Sequence, residues 1–319
     1  MRRPGGILPA CVLGCAGLWA GAAWGYVREV TNSGVPIAWK NPCIDLQLYV
    51  GSLAPAGLDL LTAATEAAAA WSYPQVIGTD IRLSVIPKPQ ASAGVGHDQQ
   101  NVIVFRAATW CREPAPVDDA GTPEPECYPP TVLAVTSLFK NAKTGEILDT
   151  DIELNAVDYT WGDRVVHPEL ASGNTADFQN ALTHELGHVV GLDHNCYTAS
   201  DGQPRLNDHT GAPEVDCYGS SAPPAAVTGA TMYPSVLLSD TTRRDLTADD
   251  ELGVSEIYPH LHEVCPALAE GGCSVVPLPP RTRWWPRTVA LTWAALLTSW
   301  AVRRRRRREA RGAQEAPRA

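Results

Sequence analysis

Apolar and polar positions alternate or recur with helical period in blocks separated by Gly, Pro and Asn, and each block predicts one element. Residues 36–50 carry Trp39, Ile44, Leu46, Leu48 and Val50 at largely alternating positions, which predicts a first strand. The alanine-rich stretch 56–71, with Leu60, Leu61 and Ala64 on one face and Pro74 just beyond, predicts a helix. Further strands are expected at 81–86, 101–106, 131–139 and 147–154, with a proline-rich loop at 114–130. The strongest helical period covers 175–190 and is stopped by Gly191; a last helix is expected at 248–258, capped by Thr247. Strands first and helices later argue for an α+β domain.

The two ends depart from this pattern. Arg2 and Arg3 precede an apolar run over 7–23 and the small-residue triplet Ala23-Trp24-Gly25, which reads as a secretory signal peptide over 1–25. A lipoprotein box ending in Cys15 and an uncleaved anchor remain alternatives. At the other end, 263–280 reads as a linker containing Gly271-Gly272-Cys273-Ser274. An apolar transmembrane segment over 281–302 follows, then a basic cytoplasmic tail over 303–319 that opens with six consecutive arginines. The order of these parts resembles MYXO-CTERM sorting signals, which implies that Cys273 is the processing and anchoring point and that the chain meets a membrane through this segment before processing. The expected address is export from a bacterium, to the medium or anchored at the outer membrane.

Net charge is −10, but eleven arginines and two glutamates lie after residue 275 and two more arginines at the start, so the body over 26–262 and its short linker carry about −21. Such a field argues against a nucleic-acid partner. Of nine cysteines, Cys43, Cys111, Cys127, Cys196, Cys217 and Cys265 belong to the body, and an even count in an exported chain reads as three disulfides. Six cysteines allow many pairings. The favoured set closes the proline-rich loop (Cys111 with Cys127), closes the polar loop after the histidine motif (Cys196 with Cys217), and ties the first strand to the domain end (Cys43 with Cys265).

The chemistry concentrates at His184-Glu185-Leu186-Gly187-His188-Val189-Val190-Gly191-Leu192-Asp193-His194. Residues four apart share a helix face, so His184 and His188 present imidazoles to one ion, and a turn at Gly191 lets His194 supply a third. Three neutral histidines leave a tetrahedral zinc ion one open position, and Glu185 lies beside it, placed to accept a proton from water. An accidental H-E-x-x-H is common in helices. Five fixed positions on an expected helix are not readily accidental.

With these residues the chain resembles the metzincin proteases and, within them, the matrixin group, across about 35–259. Thr231-Met232-Tyr233-Pro234-Ser235 looks like the family's Met-turn, with Met232 as the floor beneath the metal; Pro234 stands where other metzincins place a ligating tyrosine. Asp249 and Asp250 look like the pair that braces this turn, and Leu133 and Ala134 match the strand along which substrate lies. The resemblance implies a zincin fold, with a twisted mixed sheet, a long active-site helix and a C-terminal helix. It also implies one catalytic Zn2+, a peptide substrate, hydrolysis with Glu185 as general base, and a monomer. Val135 and Asp149-Thr150-Asp151 lack the histidines of the matrixin structural zinc, so no second zinc is expected. Asp149, Asp151 and Glu153 alternate on one strand face, which suits either Ca2+ or a solvated sheet. No cysteine-switch propeptide is visible between the signal site and the first strand. A non-catalytic surface binding or adhesion module that keeps the fold is the alternative reading.

Overall fold

A computed structural model describes residues 25–50, 58–90, 94–112, 126–171, 173–198, 203–235, 237–260 and 265. Gly25 apart, the signal segment with Cys15 lies outside the described residues, as do Cys273 and the segments 281–302 and 303–319. Among the described residues no helix is long and apolar enough to cross a membrane.

The elements run as β1 (Val27–Arg28), β2 (Cys43–Tyr49), α1 (Leu60–Trp71), β3 (Arg82–Lys88), β4 (Val102–Arg106), β5 (Cys111–Arg112), β6 (Glu126–Cys127), β7 (Ala134–Lys140) and β8 (Ile147–Asn155). They continue with β9 (Thr160–Gly162), β10 (Thr175–Asp177), α2 (Phe178–Val189), β11 (Leu192–Asp193), α3 (Ala225–Thr228) and α4 (Ala248–Ile257). This is an α+β arrangement around one five-stranded mixed sheet of order β3-β2-β4-β8-β7. β2, β3, β4 and β8 are parallel, and β7 closes one edge antiparallel to β8.

Several boundaries differ from the expected ones, each for a local reason. The first strand starts at Cys43 rather than 36, because Pro36 and Ala38 make only isolated bridges. Asp59 caps α1 by accepting the Thr62 N–H at 3.1 Å, which sets the helix start at Leu60. Residues 175–177 form β10 rather than the first helical turn, since they pair with β9 and Asp177 then caps α2. Part of the expected loop is also ordered: Glu126–Cys127 pairs with Cys111–Arg112 as a short ribbon. Residues 113–125 lie outside the described residues.

One sheet face packs on the helices. Leu46 and Leu48 of β2, Ile103 of β4 and Ile152 and Leu154 of β8 share a core with Ala64 and Trp71 of α1 and Phe178, Leu182 and Leu186 of α2. Trp71 is fully buried, and its indole N–H donates to the Thr183 carbonyl at 2.8 Å, which locks α1 across α2. Trp39 and Tyr258 secure the other end of α2. They donate to the carbonyls of Val189 (2.7 Å) and Val190 (3.1 Å), two of the acceptors a helix end leaves unpaired.

Asp149, Asp151 and Glu153 are fully buried, not on a solvated sheet face, and their oxygens are already engaged. Asp149 accepts the N–H groups of Asp98 (2.7 Å) and Gln99 (2.6 Å), and Asp151 those of Gly96 (2.8 Å) and Val102 (3.2 Å). Glu153 pairs with Arg106 at 2.6 Å and accepts from Tyr128. The acidic stripe therefore organises the loop before β4 through backbone amides, and the three carboxylates do not come together as a metal-binding group among the described residues. Burial pushes the Asp151 carboxyl up to about 7, opposed by its amide hydrogen bonds and reinforced by Asp149.

A carboxyl raised in the folded state adds stability that is complete at low pH and is lost as pH rises through its folded value. Asp151→Asn removes that titration. Between pH 5 and 7 the stability of the native chain relative to this variant should fall with rising pH, by on the order of 1 kcal/mol per pH unit. Urea unfolding of both proteins across that range measures it, and parallel pH profiles would contradict it.

Three disulfides join Cys43 to Cys265, Cys111 to Cys127 and Cys196 to Cys217, the pairs favoured on sequence. The first fixes Cys265, which the sequence boundaries left in the linker, to the start of β2. Three such bonds indicate an oxidising compartment.

Candidate metal centre

The site is built on α2 and the turn that ends it. Asp177 caps the helix through the Asn180 N–H at 2.9 Å and is itself held by Arg244, which also reaches Asp163 at 2.7 Å. His184 and His188 lie one turn apart on the helix, with ring centroids 5.1 Å apart. Gly191 has φ of +88°, a conformation strained for any side chain, and it reverses the chain at the helix end. β11 follows and pairs antiparallel with β1, which delivers His194 with its ring centroid 4.9 Å from His188 and 5.4 Å from His184. One nitrogen from each of the three rings lies within 4.8 Å of the other two.

Two outer nitrogens are committed elsewhere. His184 Nδ1 lies 2.6 Å from the Thr231 carbonyl and His188 Nδ1 lies 2.9 Å from the Leu192 carbonyl. A carbonyl only accepts, so each Nδ1 carries a proton and each Nε2 is the nitrogen left to serve an ion. Burial pushes His184 well below the usual histidine range and His194 down to about 3, with His188 adding to both shifts. Neutral, oriented imidazoles are the form that binds a metal. The donor set therefore fits a divalent transition metal ion.

Glu185 is 7% exposed, and burial raises its carboxyl above the usual range. The Thr136 hydroxyl on β7 donates to its Oε2 at 2.6 Å. Ala134 opens β7, and Leu133 just precedes it with its carbonyl accepting the Asn155 N–H at 2.9 Å, so the two expected substrate-strand residues lie at the sheet edge.

Met232 is 2% exposed and packs under α2 opposite Gly187. The turn that carries it is tied to α4 through one buried carboxylate. Asp250 Oδ2 accepts the Thr231 N–H (3.1 Å), the Thr247 N–H (3.0 Å) and the Thr247 hydroxyl (2.6 Å). Asp249 differs: burial and then Asp250 push its carboxyl up to about 7, and its buried Oδ1 has no hydrogen-bond partner among the described residues. Among the described residues, Asp250 is the member of the expected pair that hydrogen-bonds to the turn. Asp250→Ala would strand the buried Thr231 N–H and loosen the carbonyl that orients His184. Metal affinity should fall about 10- to 100-fold, and titration against a chromogenic chelator measures it. Asp250→Asn, which keeps an acceptor oxygen, should lose less.

Three contributors carry no motif in the sequence. Thr136 is one. Arg243, 6% exposed, is another; it donates to the carbonyls of Tyr233 (2.8 Å) and Ser235 (2.7 Å) and fixes the segment after Met232. The third is the start of the body: the Tyr26 carbonyl accepts from Asn207 at 2.9 Å, and Arg205 of the same disulfide-closed loop pairs with Asp193. A second group, Glu29, His188 and Asp193, also clusters closely enough to bind a metal. It shares His188 with the first, and Lys140 (3.6 Å from Glu29) and Arg205 already offset its two acids.

The remaining histidines have other partners. His97 stacks on Phe139, and His167, His209 and His260 pair with Glu169, Glu256 and Asp80. His262 lies outside the described residues. No protein-family model matches the chain, and a search of curated proteins returns no match. The functional reading therefore stands on the site.

Proposed function

We propose that this chain is a zinc-dependent endopeptidase of the metzincin type, matrixin-like in its Met-turn. The observation that carries the reading is the convergence of three imidazoles with a buried carboxylate one residue along the same helix. An antiparallel strand at the sheet edge and a buried methionine beneath the helix support it further. When bound there, zinc supplies a Lewis acid that polarises a carbonyl and makes water acidic enough to deprotonate near neutral pH.

The rest is the work of the chain's own residues. His184, His188 and His194 hold the ion. Glu185 accepts the proton of the attacking water and returns it to the leaving amine. The outer edge of β7, at Leu133 and Ala134, receives an extended peptide by strand addition and fixes the scissile bond in register. Asn155 and Trp161 anchor the segment behind this edge, through donors to the carbonyls of Val132 and of Asn155 at 3.0 Å each. Export, a mature form anchored at Cys273 and action as a monomer belong to the same proposal.

The test is cleavage of an unbiased peptide library by zinc-loaded protein, read by mass spectrometry, alongside metal content. Internal cleavage that stops with a chelator and returns with zinc is the expected result. A protein that holds one zinc per chain and cleaves no peptide would instead favour the binding-module reading.

A further inference from the structure

Thr136 is the one residue of β7 whose side chain reaches the Glu185 carboxylate among the described residues. Its hydroxyl lies 2.6 Å from Glu185 Oε2 and 3.3 Å from the Glu185 carbonyl. A hydroxyl has one proton to give, and the shorter, charge-assisted contact takes it. No other hydrogen bond reaches that carboxylate among the described residues. A strand needs no hydroxyl at this position, because valine has the same shape and an equal or better strand preference. A β-branched side chain is also stiff about χ1, so the oxygen is aimed rather than sampled.

We propose that Thr136 is a positioning residue that holds the Glu185 carboxylate against the edge strand, so that the strand receiving the peptide also sets the direction of the base. The inference rests on the hydrolytic reading above. The backbone of residues 134–136 lies on the sheet edge, while the Thr136 side chain turns inward to α2. One short stretch of chain thus fixes both the register of an added strand and the orientation of the group that must meet its scissile bond. A small error in the second would lower turnover without weakening binding.

The experiment compares the zinc-loaded wild-type chain with Thr136→Val, Thr136→Ser and Thr136→Ala on one cleavable peptide, and adds crystal structures of the metal-free forms. The valine and alanine variants should lose about tenfold in kcat with KM within about twofold, at unchanged metal content. Serine should recover most of the loss. In the metal-free crystals the carboxylate should hold one orientation with Thr or Ser at 136 and spread over several with Val or Ala. Wild-type kcat in both hydroxyl-free variants, a rise in KM alone, or failure of serine to rescue would overturn the inference and leave the hydrolytic reading standing. A wild-type chain that carries zinc and cleaves nothing would remove both. If the valine variant fails to fold, the alanine and serine pair still decides between these outcomes.

Discussion

Glu185→Gln should abolish peptide hydrolysis while zinc stays bound. Glutamine matches glutamate in size and still accepts the Thr136 hydroxyl through its amide oxygen, so the 2.6 Å contact and the helix packing survive. What disappears is the ability to take a proton. A positioned general base is worth about 10²- to 10⁴-fold, so kcat/KM should fall by that factor with metal content near one ion per chain. The three histidines do not depend on Glu185: two are oriented by the carbonyls of Thr231 and Leu192, and the third by the turn at Gly191 and the β1–β11 pairing. Steady-state kinetics with parallel metal analysis checks both halves. A variant that keeps a tenth or more of wild-type activity would remove Glu185 from its role, and one that loses zinc would show that the carboxylate shapes the site rather than works within it.

Gly187→Ala should destabilise the protein and loosen the metal, although alanine is the better helix former by about 1 kcal/mol. A Cβ at position 187 falls 2.1 Å from Met232 Sδ and 2.9 Å from Trp71 Cζ2, both inside van der Waals contact. The methionine can bend. The indole cannot, because Trp71 is fully buried and tethered to Thr183 through its N–H. Overpacking of this kind costs about 1–3 kcal/mol, so the net change is a loss despite the helix preference. Gly187 precedes His188 directly and lies one turn from His184, so the strain reaches both ligands. We expect a lower midpoint in thermal unfolding and weaker zinc binding in chelator competition. Met232→Ala in the same chain should recover part of the loss, a positive coupling that a double-mutant cycle resolves. An alanine variant as stable as the wild type would mean that the methionine does not occupy this space.

How much of the site was legible in the chain follows from how far apart its parts lie. His184 and His188 were readable because a helix fixes residues four apart on one face whatever surrounds it. His194 was readable because Gly191 permits the left-handed turn that brings the chain back within three residues. Thr136 was not. It lies on a strand with ordinary strand composition, and only the packing of β7 against α2 makes its hydroxyl a neighbour of Glu185. Arg243 was hidden in the same way, since a buried arginine looks on paper like a charge on a surface, whereas Asp250 was legible through the resemblance as one of a pair.

The acidic positions of β8 make the contrast plainest. Alternating Asp149, Asp151 and Glu153 read equally as a solvated face or a cation site. The structure turns them inward to backbone amides and to Arg106, because the loop before β4 folds over that face and its donors need acceptors.

By itself the sequence determined the elements with strong periodicity, the local ligand spacing, the glycine turn and an even set of body cysteines, all of which depend on near neighbours or on simple counting. Only the tertiary structure decided the strand order, which carboxylates are buried and by what they are satisfied, which aspartate braces the methionine turn, and why position 187 has no room for a methyl group. Those are outcomes of long-range packing, in which a side chain's role is set by the residue that the fold brings opposite it.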